Sequence, residues 1–467
     1  MTTRDTSAED TGQPELPALE DPVPAAAPQG TQLSASETIP TSDHTGGISH
    51  AWRALRAPNF RLFFSGQSIS LIGTWMTRIA TSWLVYRLTG SAWLLGIVGF
   101  MGQIPTFLLA PFAGVWVDRW NKRTVLVWTQ VLAAAQSLAL AALTLTHRIT
   151  VRDILALSVL QGLINAFDMP GRQSFLVEMV NDKRDLGNAI ALNSSIVNLA
   201  RLVGPSLAGV VISLKGEGWC FLIDGFSYFA VIASLLMMHL RPIAVLQRSD
   251  SVFQQLREGW QYVSGFLPIR NLLLLFAVVS LMGMPYTVLM PVFASQVLHG
   301  GPHTFGFLMG AAGIGALVSA VLLALRSSVK GLLRMVPISA ALFGAGLVAF
   351  GLSHILWLSL ALMLVVGFGM MQGMAASNTI IQTLAPTDKR GRIMSYYTMA
   401  FVGMAPFGSL LAGGLARVMT ASWAVVVTGS CCILGAAWFW SQMGAVRAAI
   451  RPVYRELGII RPAPETN

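Results

Sequence analysis

Between residues 60 and 442 the chain is a succession of apolar runs separated by short polar joints. Each run is close to the roughly 20 residues that a helix needs to cross a bilayer. No other feature restricts the fold as much. In hydrocarbon every backbone N–H and C=O must find its partner within the protein, and for a single run that means a helix. Only 11% of the residues are charged, against about 25% in an ordinary soluble domain. The expected fold is therefore an all-α integral membrane protein with twelve transmembrane helices. They are placed at about 62–86, 92–117, 124–146, 153–176, 188–213, 219–240, 271–298, 304–325, 332–352, 355–384, 392–418 and 421–442.

Charge collects in the joints. Residues 1–50 hold eight acidic residues and one basic residue, Arg4, among Pro, Ala, Ser, Thr and Gly. Such a segment cannot build a core and is expected to be a disordered cytoplasmic tail; it lacks the pattern of a signal peptide. The rest of the chain has 30 Lys and Arg against 13 Asp and Glu. Most of these bases flank the bundle or follow the even-numbered runs. The alternate joints carry few: Arg87, Arg148, Arg152, Lys215 and Arg417. By the positive-inside rule both termini are cytoplasmic, which requires an even number of spans. The basic excess is then a topology signal, with no nucleic-acid partner expected, and membrane lipid is the natural contact for the loops.

Residues 241–269 interrupt the rhythm between a first half, 51–240, and a second, 270–442. Val252, Leu256, Trp260 and Val263 recur there at helical spacing, as in an amphipathic helix on the membrane surface or one that binds a partner. A polar cytoplasmic tail, 443–467, carries Arg447, Arg451, Arg455 and Arg461. The halves also echo each other. Gln161-Gly162 matches Gln372-Gly373, Asp182-Lys183-Arg184 matches Asp388-Lys389-Arg390, and Leu207-Ala208-Gly209 matches Leu411-Ala412-Gly413. An even number of spans per half gives the two repeats the same orientation.

Charge deep in a membrane helix is costly and points to function. The candidates are Arg78, Asp168, Arg201 and Asp224, with Arg172 nearer the boundary, and all lie in the first half. Asp168 and Arg172 are four residues apart and can share a helix face. Asp168 reads either as a protonatable carboxylate or as a permanent ion-pair partner. Arg78 and Arg201 read as partners of these acids or as sites for an anionic solute. In the second half Met284, Met290, Met370, Met371, Met374, Met394, Tyr396, Tyr397 and Met399 suit either helix packing or adaptable contact with apolar solutes. Cys220, Cys431 and Cys432 lie in apolar runs without metal-ligand spacing, so no metal and no cofactor is expected. There is no Walker A sequence and no catalytic cluster, so no enzyme activity is expected.

Several motifs together resemble one branch of the major facilitator superfamily, the bacterial exporters of enterobactin type and macrolide-efflux type. They are Gly114-x-x-x-Asp118-Arg119-x-x-Lys122-Arg123, Gly102-Gln103-Ile-Pro105, Asp168-x-Pro170-x-Arg172-Gln173, Asn198-x-x-Arg201-x-x-Gly204-Pro205 and Arg390-Gly391-Arg392. The resemblance covers about 50–442 and implies a secondary transporter of the bacterial cytoplasmic membrane, a monomer that exports a drug or siderophore against protons. It implies a conformational latch in which Gly114 permits close approach, Asp118 meets the start of the eleventh helix or Arg392, and Arg119, Lys122 and Arg123 grip acidic groups or lipid. It implies a helix-bend motif at Gly204, Pro205 and Gly209. One departure is Ser158, where the family places a helix-4 arginine. Uptake instead of export, and a transport-inactive sensor on the same scaffold, stay open as alternatives.

Overall fold

The computed structural model describes residue 2 and residues 53–180, 185–239, 252–326, 328–386, 389–457 and 459. The side chains of residues 110, 111, 115, 118 and 252–256 lie outside that description, as do the proposed tail 1–50 (residue 2 apart), the loop residues 181–184, the linker segment 240–251 and Asp388.

Twelve long helices follow one another: α1 (Pro58–Thr89), α2 (Ala92–Arg119), α3 (Lys122–Leu145), α4 (Val151–Met179), α5 (Leu186–Lys215), α6 (Glu217–Met237), α7 (Leu267–Val297), α8 (Pro302–Ala324), α9 (Leu332–Leu352), α10 (Leu356–Leu384), α11 (Arg390–Val418) and α12 (Ala421–Ser441). Eleven of them are long and apolar enough to cross a membrane; α1 is not among them. At 32 residues it is about 48 Å long, but it carries Arg61, Gln67, Thr74, Thr77 and Arg78. That polarity fits a helix that faces its neighbours and a cavity on most sides.

Local chemistry sets the joints. The Ser91 hydroxyl accepts from the Leu94 amide at the start of α2, and Asn121 Oδ1 accepts from the Thr124 amide at the start of α3. Thr150 and Asp153 form a reciprocal capping box at the start of α4. Gly90, with φ 61°, supplies the left-handed residue that ends α1.

The two halves use the same pairings. In the first, α1 packs on α5 and α6, α2 on α4, and α3 on α4 and α6; in the second, α7 packs on α11 and α12, α8 on α10, and α9 on α10 and α12. Two further pairs, α5 with α8 and α2 with α11, join the halves. Asn59 at the start of α1 donates to the His239 carbonyl just past α6, while Arg87 at the other end of α1 pairs with Glu217 at the start of α6. The end of the bundle that holds the starts of α1 and α7 is called here the terminal end, and the opposite one the distal end.

Two second-half helices are irregular. α7 contains wide π turns at Val279–Gly283 and Phe293–Val297. α11 is broken between Arg390–Phe401 and Ala405–Val418, next to Pro406. By contrast α5 runs on through Pro205 without a break.

Two amphipathic helices flank the bundle. The first, Val252–Gly265, lies in the linker and packs on the Arg390–Phe401 piece of α11. The second, Met443–Glu456, occupies the region expected to be only a polar tail. Its Met443, Val446, Ile450 and Tyr454 are buried while Arg447, Arg451 and Arg455 face out. Spacing of three to four residues gives that tail an apolar stripe as regular as its basic one.

Candidate functional site

The contacts that join the halves concentrate at the distal end. On one side Gly209 of α5 meets Gly306 of α8 so closely that a Cβ on Gly209 would lie 2.9 Å from the Pro302 carbonyl oxygen and 3.1 Å from Gly306 Cα. On the other, Gly413 of α11 meets Gly96 of α2, and a Cβ on Gly413 would lie 2.9 Å from the Ala92 oxygen and 3.0 Å from Gly96 Cα. Small residues let the helix backbones touch here. Trp83 of α1 stacks on Phe305 of α8 at 6.4 Å between centroids, at the same end.

Toward the terminal end the halves part. A Cβ added to Gly114, Gly187 or Gly391 would meet nothing within 4 Å. The close approach expected of Gly114 is therefore not made in this conformation. Arg392 pairs with Glu258 of the linker helix. The Asp118 side chain is outside the described atoms. Lys122 donates to Glu178 at the end of α4 (2.6 Å), and Arg123 donates to the Leu236 carbonyl at the end of α6 (2.6 Å). These two cations thus tie α3 to its own half. Arg119 is exposed at the last turn of α2.

Beneath the distal closure lies a polar constellation. Gly204 of α5 receives Trp75 of α1: a Cβ there would sit 2.5 Å from Trp75 Cβ. The Trp75 ring has the guanidinium of Arg78 over it at 4.7 Å and that of Arg201 at 5.4 Å. Arg78, deep in the sequence of α1, is exposed to solvent. Arg201 is half-buried, its Nε enclosed without a hydrogen-bond partner, and it is close enough to Tyr286 of α7 to couple with it electrostatically. Pro205 has no N–H, so the carbonyl of Arg201 loses its usual partner four residues on. Arg201 lies eight residues, about 12 Å along the helix, from Gly209 at the gate.

The two acids sit in different surroundings. Asp168 pairs with Arg172 and accepts from Gln130 Nε2 (2.7 Å) and Thr129 Oγ1 (3.1 Å) of α3. Asp224 is fully buried on the opposite face of α1 from Trp75, against Gly73. It accepts from Ser137 Oγ at 2.8 Å, while the nearby hydroxyls of Thr74 and Ser227 donate to the Ser70 and Asp224 backbone carbonyls. Asp224 Oδ1 and Thr77 Oγ1 are both buried without a hydrogen-bond partner.

The structure thus gathers Arg78, Arg201, Gly204 and Pro205 at one place, and sets Asp224 behind them. It puts Asp168 and Arg172 together, against Thr129 and Gln130 of α3. Sequence reasoning did not single out Trp75, Tyr286, Glu217 or Glu258. Trp75 and Arg78 stand three apart on one helix, a signal that was present; its link to Gly204 exists only in the fold.

Residues 49–450 match a family profile described as transmembrane secretion effector. The staphyloferrin A transporter of Staphylococcus aureus is 26% identical, over 75% of this chain and 88% of its own length. The multidrug efflux pump Tap of Mycolicibacterium fortuitum is 26% identical over 77% and 90%. Macrolide efflux protein A of Streptococcus pyogenes is 22% identical over 63% and 73%. Among solved structures, a bacterial homologue of the lysosomal transporter Spinster in an inward-facing, unoccupied conformation superposes with TM-score 0.65 at 12% identity, over 87% of this chain and all but 1% of that one (99%). An inward-facing bacterial homologue of the iron transporter ferroportin gives 0.64 at 17%, over 83% and 98%. A profile match that spans the whole bundle, with curated relatives that are drug and siderophore transporters of one fold, settles the lineage: the chain belongs to the transmembrane secretion effector family of the major facilitator superfamily.

Proposed function

We propose that the protein is a secondary active exporter of a small organic molecule, driven by protons and working by alternating access in the bacterial cytoplasmic membrane. The observation that carries this reading is the asymmetry of the bundle: glycine contacts seal the distal end while Gly114, Gly187 and Gly391 at the terminal end have open space beside them, and two arginines gather on the Trp75 ring between these ends. Basic residues crowd the terminal end, which the positive-inside rule assigns to the cytoplasm. The conformation is then inward-open. In the opposite state the end of α2 closes on α11, and Asp118 replaces Glu258 as the partner of Arg392.

Asp224 is the acid assigned to the proton. The hydroxyl that bonds it, Ser137, can donate or accept, and its Oδ1 is buried without a hydrogen-bond partner, so the site does not demand the ionised form. Asp168 is held by Arg172 and Gln130 Nε2, which only donate and so suit the ionised form. Asp224 also touches α1 at Gly73, on the helix that presents Trp75 and Arg78 to the cavity. A change of proton occupancy there acts on the helix that contacts the solute.

The test is accumulation in everted vesicles over a panel of drugs and siderophores, with and without a proton gradient. Wild type is expected to accumulate at least one compound only with the gradient. Asp224→Asn is expected to abolish the gradient-dependent part, while Asp168→Asn, where the chain folds, keeps a measurable share of it. Accumulation indifferent to the gradient would refute proton coupling. Gradient-dependent transport that persists in Asp224→Asn would move the proton site elsewhere.

A further inference from the structure

Arg78 and Arg201 are an unusual pair for the interior of a membrane protein. Both guanidiniums lie over the Trp75 ring, and among the described residues neither has a carboxylate partner. Other bases of the first half are matched: Arg53 with Asp185, Arg87 with Glu217, Lys122 with Glu178, Arg172 with Asp168. Two guanidiniums that share one indole repel, and the half-buried one, Arg201, loses hydration. The Trp75 ring offsets part of that through its negative face, but a ring leaves the N–H donors unfilled. Arg201 Nε is such a donor, buried with no acceptor.

The surroundings say what is missing. Arg78 is exposed to solvent, so a solute can reach it. A guanidinium presents a planar fork of donors that matches a carboxylate. Trp75 supplies aromatic surface beside the charge. Gly204 fixes the arrangement, because any side chain there would displace Trp75.

We propose that Arg78 and Arg201, gathered on Trp75 beneath the distal closure, form the seat for a carboxylate of the transported solute, and that the cargo is an organic acid with a flat or apolar body. This rests on the exporter reading given above and narrows its substrate class. The indole and the two guanidiniums act as one recognition unit: charge selects the carboxylate, and the ring selects what is attached to it. Trp75 also keeps the two arginines in place when the seat is empty.

Binding to the full-length chain in detergent tests this without requiring transport. The probes are 2-naphthoate and its neutral isostere 2-naphthamide, titrated against the intrinsic tryptophan fluorescence and the thermal midpoint. Wild type is expected to prefer the carboxylate by about tenfold or more, as expected for charge-assisted bonds. Arg78→Gln and Arg201→Gln are each expected to erase the preference, and Arg78→Lys to keep part of it, since the charge stays and the fork is lost. Equal binding of the two probes to wild type, including binding of neither, overturns the assignment, and this arm needs no variant to fold. A preference that survives in both Gln variants overturns it too. Failure of the exporter reading looks different. Vesicles that move nothing, beside a chain that still discriminates naphthoate from naphthamide, refute export and keep the seat. Vesicles that export neutral or cationic compounds, beside equal binding of the probes, keep export and refute the seat.

Discussion

The two halves of the bundle share a fold and differ in chemistry. Their helix pairings repeat, and so do their closest contacts. Gly209 on Gly306 is matched by Gly413 on Gly96, and Gly204 against Trp75 of α1 is matched by Gly408 against Leu281 and Pro285 of α7. The charges do not repeat. At the offset of 204 that relates Gly209 to Gly413, Arg201 falls on Ala405. At the offset of 211 that relates Gln161 to Gln372, Asp168 and Arg172 fall on Thr379 and Thr383. Gly73 packs on Asp224 where Gly283 packs on Cys432. The buried acids among the described residues, Asp168, Glu217 and Asp224, all belong to the first half. The geometry of the gate is thus a property of the repeat, while the recognition and coupling groups belong to one copy of it. A rocking motion needs both halves to pack alike, but a single solute needs only one charged wall.

The largest effect expected from this comparison comes from the repeated glycines. Leu in place of Gly209 or Gly413 meets backbone atoms about 3 Å from its Cβ on a neighbouring helix, which cannot yield as a flexible side chain would. Overpacking of this kind costs about 1–3 kcal/mol, which lowers the population of the distally closed state by about 5- to 150-fold. Because the two sites are equivalent, Gly209→Leu and Gly413→Leu are expected to impair transport to similar degrees. Maleimide labelling of Ser409→Cys from the distal side, in a chain lacking the native cysteines, is expected to rise in both. Ser409 lies at the α2–α11 contact, so a rise caused by Gly209→Leu would report that the two contacts open as one gate. Labelling that responds only to Gly413→Leu would break the equivalence.

A smaller effect, on stability and not on gating, is expected at Asp168. Asp168→Asn leaves Arg172 without its carboxylate and replaces an acceptor of the Gln130 amide with one that is half donor. Loss of a charged hydrogen-bond partner in a buried site costs about 1–3 kcal/mol. The thermal midpoint of the detergent-solubilised chain should fall, and Thr379→Val at the matching place in the second half should change it little. If Asp168→Asn were as stable as wild type, the distinction drawn between the two acids would lose its structural side.

Much of this was legible from residue order, and what was not has a common cause. The spans, the parallel repeat and the confinement of interior charge to the first half follow from hydropathy and spacing. The Asp168–Arg172 pair follows from a separation of four on a helix. Residue order puts Asp168 ahead of Asp224 as the interior acid, and the surroundings of the two reverse that preference. That depends on Thr129 and Gln130 of α3 facing Asp168, and on Ser137 of α3 with Thr74 and Thr77 of α1 facing Asp224. Likewise the glycine of the Gly204-Pro205 motif was read as a packing residue, but its partner Trp75 lies on α1, beyond the reach of any local pattern. The amphipathic C-terminal helix was hidden differently: its arginines drew attention as a charge run, and Met443, Val446, Ile450 and Tyr454 between them were passed over.

The smallest effect concerns the terminal end, where the halves differ again. The first half anchors its basic loop internally, through Lys122 to Glu178 and Arg123 to the Leu236 carbonyl, whereas the second half holds Arg392 through Glu258 of the linker helix. Gly259 lies against Arg392 Cβ and the Tyr396 ring, and Trp260 contacts Tyr396 at 5.8 Å, so the linker helix is docked by packing as well as by charge. Glu258 is partly exposed, and such pairs contribute about 0–1 kcal/mol. Glu258→Gln is therefore expected to leave the fold intact and to change transport by less than about fivefold. The direction is informative. If Glu258 holds Arg392 away from α2 in the inward-open state, its removal frees Arg392 for Asp118 and favours terminal closure, and labelling of Ser409→Cys from the distal side should rise slightly. The rise should vanish in Glu258→Gln combined with Asp118→Asn. A rise that persists in the double variant would mean that the linker helix acts on the gate through its packing on α11 and not through a competition for Arg392.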